Sequence, residues 1–141
     1  MEQAQIDEIR DFNRFYAKVI GLLDKTYLNS DYSLAEVRVL REISINPQCG
    51  ANDILYALGL DKGYLSRILK SFERKKLISK IRSTTDKRAI HLTLTDLGKR
   101  EFEILDEKAN EQVSNAFAQV SEGEYEKLIH SMKTIRTILN K

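Results

Sequence analysis

The stretch Gly59-Leu60-Asp61-Lys62-Gly63-Tyr64-Leu65-Ser66-Arg67 decides how this chain folds. Gly59 can take the left-handed conformation that ends a helix, and Asp61 is a good N-cap for the next one. Two short helices therefore meet here. The first runs from about Ala51 to Leu58, with Ile54, Leu55 and Leu58 inward, and the second from Lys62 to Lys76. In the second, Leu65, Ile68, Leu69 and Phe72 form one apolar stripe, while Lys62, Gly63, Ser66, Arg67, Lys70 and Arg74 gather on the opposite face. After Leu77 the apolar period drops to two. Ile78–Arg82 and Ala89–Leu94 read as strands joined by the polar loop Ser83-Thr84-Thr85-Asp86-Lys87-Arg88. Ile90, Leu92 and Leu94 alternate with His91 and Thr93.

Working outward, Ser33-Leu34-Ala35-Glu36 is a capping box opening a helix that runs out near Asn46–Pro47. Thr95 caps a long helix through Leu97, Phe102, Leu105, Ala109, Val113 and Phe117. Ser121-Glu122-Gly123-Glu124 is a second capping box, followed by Tyr125, Leu128, Met132, Ile135 and Leu139 at heptad spacing. Gln5 to about Leu28 is helical by period, and its apolar face is wider than one neighbouring helix needs.

Two short helices followed by a two-stranded ribbon make a winged helix-turn-helix. Its second helix carries small and cationic groups on one face, which suits entry into the major groove of B-DNA. Gly63 and Ser66 keep the helix surface low. Lys62, Arg67 and Lys70 can reach phosphates or guanine edges. Tyr64 has two open readings: a phenol on a phosphate or sugar, or a ring covering the adjacent helix. Arg82 ends the first strand of the wing, directly before its loop. At the tip, Arg88 can enter the minor groove, where the potential is most negative, with Asp86 gripping its guanidinium.

Charge follows the same plan. The chain of 141 residues has a net charge of +2, but residues 61–88 hold ten bases against three acids, and the remainder sums to −5. A basic block in an otherwise acidic chain points to a polyanion partner for that block alone.

These residues resemble the MarR (multiple antibiotic resistance regulator) family. The resemblance rests on Leu60 through Arg67, Lys76-Leu77-Ile78, Asp86-Lys87-Arg88 and Leu94-Thr95-Asp96-Leu97-Gly98. It implies a regulator of transcription that binds a pseudo-palindromic duplex as a homodimer built from its terminal helices. It also implies that the Asp86 and Arg88 positions form the wing-tip pair, and that a small aromatic or anionic effector binds. Arg10, Arg14, Tyr16 and Arg38 are the candidates for lining an effector crevice, with surface or intersubunit ion pairs as the other reading. Gly63 through Arg67 looks most like the regulatory half of acetyltransferase fusions. The alternative function is therefore a non-catalytic regulatory module of an attached or associated acetyltransferase, although the chain stops at Lys141 without room for that enzyme.

Other chemistry is expected to be absent. His91 and His130 have no partner at metal-ligand spacing, so neither metal nor cofactor is expected, and no catalytic constellation is present. The longest uncharged runs are ten residues, short of the ~18 a membrane span needs. With one cysteine, Cys49, and no signal-like N-terminus, the cytoplasm is the expected compartment. Cys49 reads as a small residue in a turn, although the neighbouring helix N-terminus can activate a thiol. The expected fold class is mainly α with a small β-hairpin wing. It is a single domain over 1–141, with the winged helix-turn-helix at about 33–94 and dimerisation helices at about 5–28 and 95–141.

Overall fold

The computed structural model describes residues 1–24, 26–86 and 89–140. The order of elements is α1 (Gln3–Val19), a 3-10 turn (Tyr27–Asn29), α2 (Leu34–Ile45), α3 (Ala51–Leu58) and α4 (Lys62–Arg74). There follow β1 (Ile78–Arg82), β2 (Ile90–Leu94), α5 (Asp96–Ala116) and α6 (Glu122–Leu139). The mainly helical fold with one antiparallel hairpin is the winged helix that the sequence leads one to expect. In the hairpin Ile78 faces Leu94 and Arg82 faces Ile90.

Local capping explains most of the helix starts. The Ser33 hydroxyl accepts from the Glu36 N–H at 3.2 Å, and the Glu36 carboxylate accepts from the Ser33 N–H at 2.7 Å. Asp61 accepts from the Tyr64 N–H at 2.9 Å, and Thr95 from the Gly98 N–H at 3.0 Å. At Ser121 the arrangement differs, because Glu124 accepts from both the Ser121 N–H and its hydroxyl. Gly59 ends α3 with φ +61°.

Two boundaries and one strand face depart from expectation. The first helix ends at Val19 rather than near Leu28, because Gly21 takes φ +64° and turns the chain out of the helix. Gln112 of α5 donates to the Ile20 carbonyl at 2.7 Å, covering an orphan acceptor at that end. The recognition-type helix α4 stops at Arg74, and Lys76 takes a left-handed φ of +60° beyond it. Finally, Ile90 is exposed although Leu92 and Leu94 on the same strand face are buried. The hairpin leaves the core at that point, and Ile90 borders a surface cleft instead.

The core belongs to the winged helix. Val39 and Leu40 of α2, Ile54 of α3, Leu65 and Phe72 of α4 and Leu77 are all closed to solvent, and Leu105 of α5 joins them. Neither α1 nor α6 buries a single residue within one chain. Ile9, Phe12, Phe15, Val113, Ile129, Ile135 and Ile138 are instead exposed. No helix among the described residues is long and apolar enough to cross a membrane.

Candidate nucleic-acid interface

Helix α4 is seated in the core. Leu65, Ile68, Leu69 and Phe72 are buried, and Phe72 is fully closed. Seen from the other side, Lys62, Gly63, Ser66, Arg67 and Lys70 are all exposed on one helix face. Helical periodicity produces this division, since a four-residue apolar stripe leaves the opposite side free for cations. A Cβ at Gly63 would lie 3.1 Å from the Asp61 carboxylate, so the glycine leaves room for the helix cap as well as lowering the surface.

The Tyr64 ring borders a cavity of about 340 Å³ with Arg38, Leu58 and Leu60, and the Arg67 guanidinium lies 5.8 Å from its centroid. The ring therefore stands beside this cavity on one side and meets Arg67 on the other. Such a contact restricts the arginine at modest energy, about 0.5–1 kcal/mol at an exposed site.

Between α3, α4 and the hairpin lies a cleft of about 270 Å³. Leu55, Leu65, Leu69 and Leu92 line its floor, and Asn52, Lys62, Ser66, Lys70 and Lys80 stand around it. Lys80 on β1 pairs with Glu73 on α4 at 2.6 Å, tying the wing to the helix. The sequence reading passed over Asn52 and Lys80. Lys80 shares the strand phase of buried Ile78 and pairs across the hairpin with buried Leu92, so period two gave no signal for it, and no spacing rule places it beside Glu73.

Arg82 is exposed at the end of β1. Beyond it the Ser83 hydroxyl accepts from the N–H groups of Thr85 and Asp86, at 3.3 and 3.2 Å, and the Ser83 N–H donates to Ala89 at 2.9 Å. Asp86 is thus held at the wing tip by local hydrogen bonds. Arg88, the expected minor-groove residue, and Lys87 lie outside the described residues.

Residues 30–89, which span the helix pair and the wing up to this point, match the family model described as MarR family. The winged helix is thus similar to that of the MarR family. The chain matches no curated protein. Its fold is shared with solved structures over nearly its whole length. A MarR family protein from Bacillus stearothermophilus has a TM-score of 0.81 at 16% identity, covering 100% of this chain and 99% of the other. FabT of Streptococcus pneumoniae, solved in complex with DNA, has 0.78 at 21%, covering 99% and 98%. Bordetella bronchiseptica BpsR, described for the regulation of its DNA binding by 6-hydroxynicotinic acid, has 0.72 at 18%, covering 94% and 98%.

The four residues considered for an effector crevice are not brought together within one chain. Arg14 pairs with Asp11 one turn away on exposed α1, and Arg10 is exposed on the same helix. Tyr16 stacks on Phe12 with ring centroids 5.7 Å apart, and both line an apolar groove of about 600 Å³ between α1, the end of α5 and α6. Phe117, Leu128, Met132 and Ile135 complete its walls, and Arg136 supplies a cation there. Arg38 lines the separate cavity beside Tyr64.

Cys49 is buried, and its carbonyl accepts from the Leu92 N–H at 2.8 Å, joining the turn before α3 to the wing. Burial pushes the thiol pKa up, and the carboxylates of Asp53 and Glu42 push it further. A backbone hydrogen bond pulls the other way and does not overcome them. A thiol that is both buried and held protonated is a poor nucleophile.

Proposed function

We propose that this protein is a dimeric, effector-responsive regulator of transcription in the cytoplasm, acting by sequence-selective binding of double-stranded DNA and without catalysis. The observation that carries the reading is the outer face of α4. Lys62, Ser66, Arg67 and Lys70 stand exposed on a helix whose other side is locked into the core. A helix so presented enters a major groove, and cations at its edges neutralise phosphates. Similarity to FabT, which is solved with DNA, supports the same docking mode.

Pairing of two copies through α1, α5 and α6 completes the reading. The exposed apolar side chains on these helices exceed what a monomer ordinarily leaves wet. Two-fold pairing also sets two recognition helices about 34–36 Å apart, one DNA turn, on a pseudo-palindrome. Sedimentation at micromolar concentration is expected to give twice the 16.3 kDa chain mass; a 16.3 kDa species would exclude this pairing. The groove holding Tyr16 lies in the same region and is the better placed of the cavities for an amphipathic anion, with Arg136 beside apolar walls.

The decisive experiment selects duplexes from a random pool and titrates the selected and scrambled duplexes at several salt concentrations. Arg88→Ala is expected to weaken both and to flatten the log-affinity against log-salt slope by ~0.9 for each phosphate-neutralising charge lost. Asp86→Ala is expected to weaken binding of the selected duplex although it removes a negative charge from a DNA-binding surface. General electrostatics gives the opposite sign. Tighter binding by Asp86→Ala would make Asp86 an ordinary surface acid and remove the wing-tip clamp. Indifference to every duplex, together with copurification of an acetyltransferase, would favour the regulatory-module alternative.

A further inference from the structure

The end of the recognition helix is fastened to the start of α5 by an unusual concentration of contacts. Thr95 donates from its hydroxyl to the Lys76 carbonyl at 2.6 Å and from its N–H to the Leu77 carbonyl at 2.9 Å. Gly98 packs directly on the Leu77 backbone. One turn further along α5, Glu101 accepts from the Tyr32 hydroxyl at 3.3 Å. The ring of Tyr32 in turn lies under the Lys75 ammonium, 5.0 Å from its centroid. Tyr32 comes from the loop before α2, so three elements meet on one side chain.

We propose that Tyr32 is a positioning residue: held to Glu101 on α5 and stacked under Lys75 at the end of α4, it sets the angle between these helices and so the half-site spacing that a pair of copies reads. The inference rests on the DNA-binding reading given above. Leverage is its physical basis. Helix α5 has 21 residues, a rod of roughly 30 Å. At its far end Gln112 holds the end of α1, in the region proposed for pairing. A few degrees at the Tyr32 joint therefore displace the recognition helix relative to its copy by a distance comparable to the ~3.4 Å rise of one base pair.

The chemistry suits a joint that is both oriented and adjustable. The Tyr32 phenol is pushed up to about 12 by burial first and then by the Glu101 carboxylate. The proton therefore stays on the phenol through the physiological range, and Tyr32 acts as donor to an ionised acceptor. The 3.3 Å separation lies at the outer edge of hydrogen-bonding range, where a small rotation of α5 makes or breaks the bond. The Lys75–ring contact tolerates such a rotation because it has little directionality.

The test uses the full chain and the duplex that the parent protein selects from a random pool. That duplex is resynthesised with one central base pair added or removed, and as an isolated half-site. Tyr32→Phe keeps the ring under Lys75 and loses the hydroxyl. Glu101→Leu loses the acceptor, and Glu101→Gln keeps one. Tyr32→Phe and Glu101→Leu are expected to bind the half-site like the parent, and the selected duplex about tenfold more weakly, the scale of one hydrogen bond to a charged group. Their preference among the three spacings should flatten, while Glu101→Gln keeps the parent's profile. An unchanged spacing profile in Tyr32→Phe, with only a lowered melting temperature, would reduce the residue to a structural one and overturn the proposal. Equal losses on half-site and selected duplex would overturn it as well. A parent that selects no duplex overturns the DNA-binding reading first, before any variant is made.

Discussion

Gly98→Ala is expected to cost about 3 kcal/mol or more of stability, the upper range for forced overpacking, and to shift the urea midpoint far below the parent's. Gly98 lies in the first turn of α5, where alanine would ordinarily be the better helix former by about 1 kcal/mol. Packing reverses that preference. A Cβ built at Gly98 falls on the Leu77 carbonyl oxygen and stands 2.9 Å from its carbonyl carbon and 3.3 Å from its Cα. These are backbone atoms, so no rotamer change relieves the clash. Nor can the Leu77 carbonyl swing away freely, because it accepts from the Thr95 N–H at 2.9 Å. Leu77 is itself in the core at 2% exposure. Equilibrium unfolding in urea is the measurement, and a midpoint equal to or above the parent's would show that the α4–α5 joint is slack. The same joint carries the proposed effect of Tyr32, so Gly98→Ser, with its larger side chain, should be no milder than alanine.

The largest effect on function is expected at Arg67. Arg67→Ala should lower affinity for the selected duplex by about 1–3 kcal/mol, the usual value of one good base contact. Loss on scrambled DNA should be smaller, confined to the charge removed, and discrimination at particular base pairs should relax. Stability should hardly change. Arg67 is exposed, and its recorded partner, the Tyr64 ring, is a surface contact at 5.8 Å. Thermal melting and paired titrations on selected and scrambled duplexes separate these effects. Equal loss on both duplexes would make Arg67 a phosphate contact and move base reading to Ser66 and its neighbours. The neighbouring Lys62 and Lys70 serve as internal controls, since each should weaken selected and scrambled DNA alike.

Much of this architecture was legible in the amino-acid order alone, for a definite reason. Helix starts at Ser33, Asp61 and Thr95 depend on a side chain and an N–H three residues apart, so the interaction that makes them is complete within one turn. The buried stripe of α4 and the change of period after Leu77 are likewise properties of a short window. The recognition face followed from them, because burying Leu65, Ile68, Leu69 and Phe72 leaves Lys62, Ser66, Arg67 and Lys70 outside.

Tertiary structure decided what depends on residues far apart in the chain. The end of α1 is set by a left-handed Gly21 and a hydrogen bond from Gln112, ninety-two residues from the carbonyl it meets. Period alone carried the helix past that point, since a glycine within an apolar pattern does not announce its φ. Lys80 entered the site through Glu73 on another element, and Tyr16 and Arg38 were placed in separate cavities by packing that no spacing encodes. Gly98 has its meaning only against the Leu77 backbone, and Tyr32 only between Glu101 and Lys75. Sequence order determined the elements and their faces because these are short-range physics. The angles between them, and the residues that hold those angles, came from side chains that meet only once the core has closed.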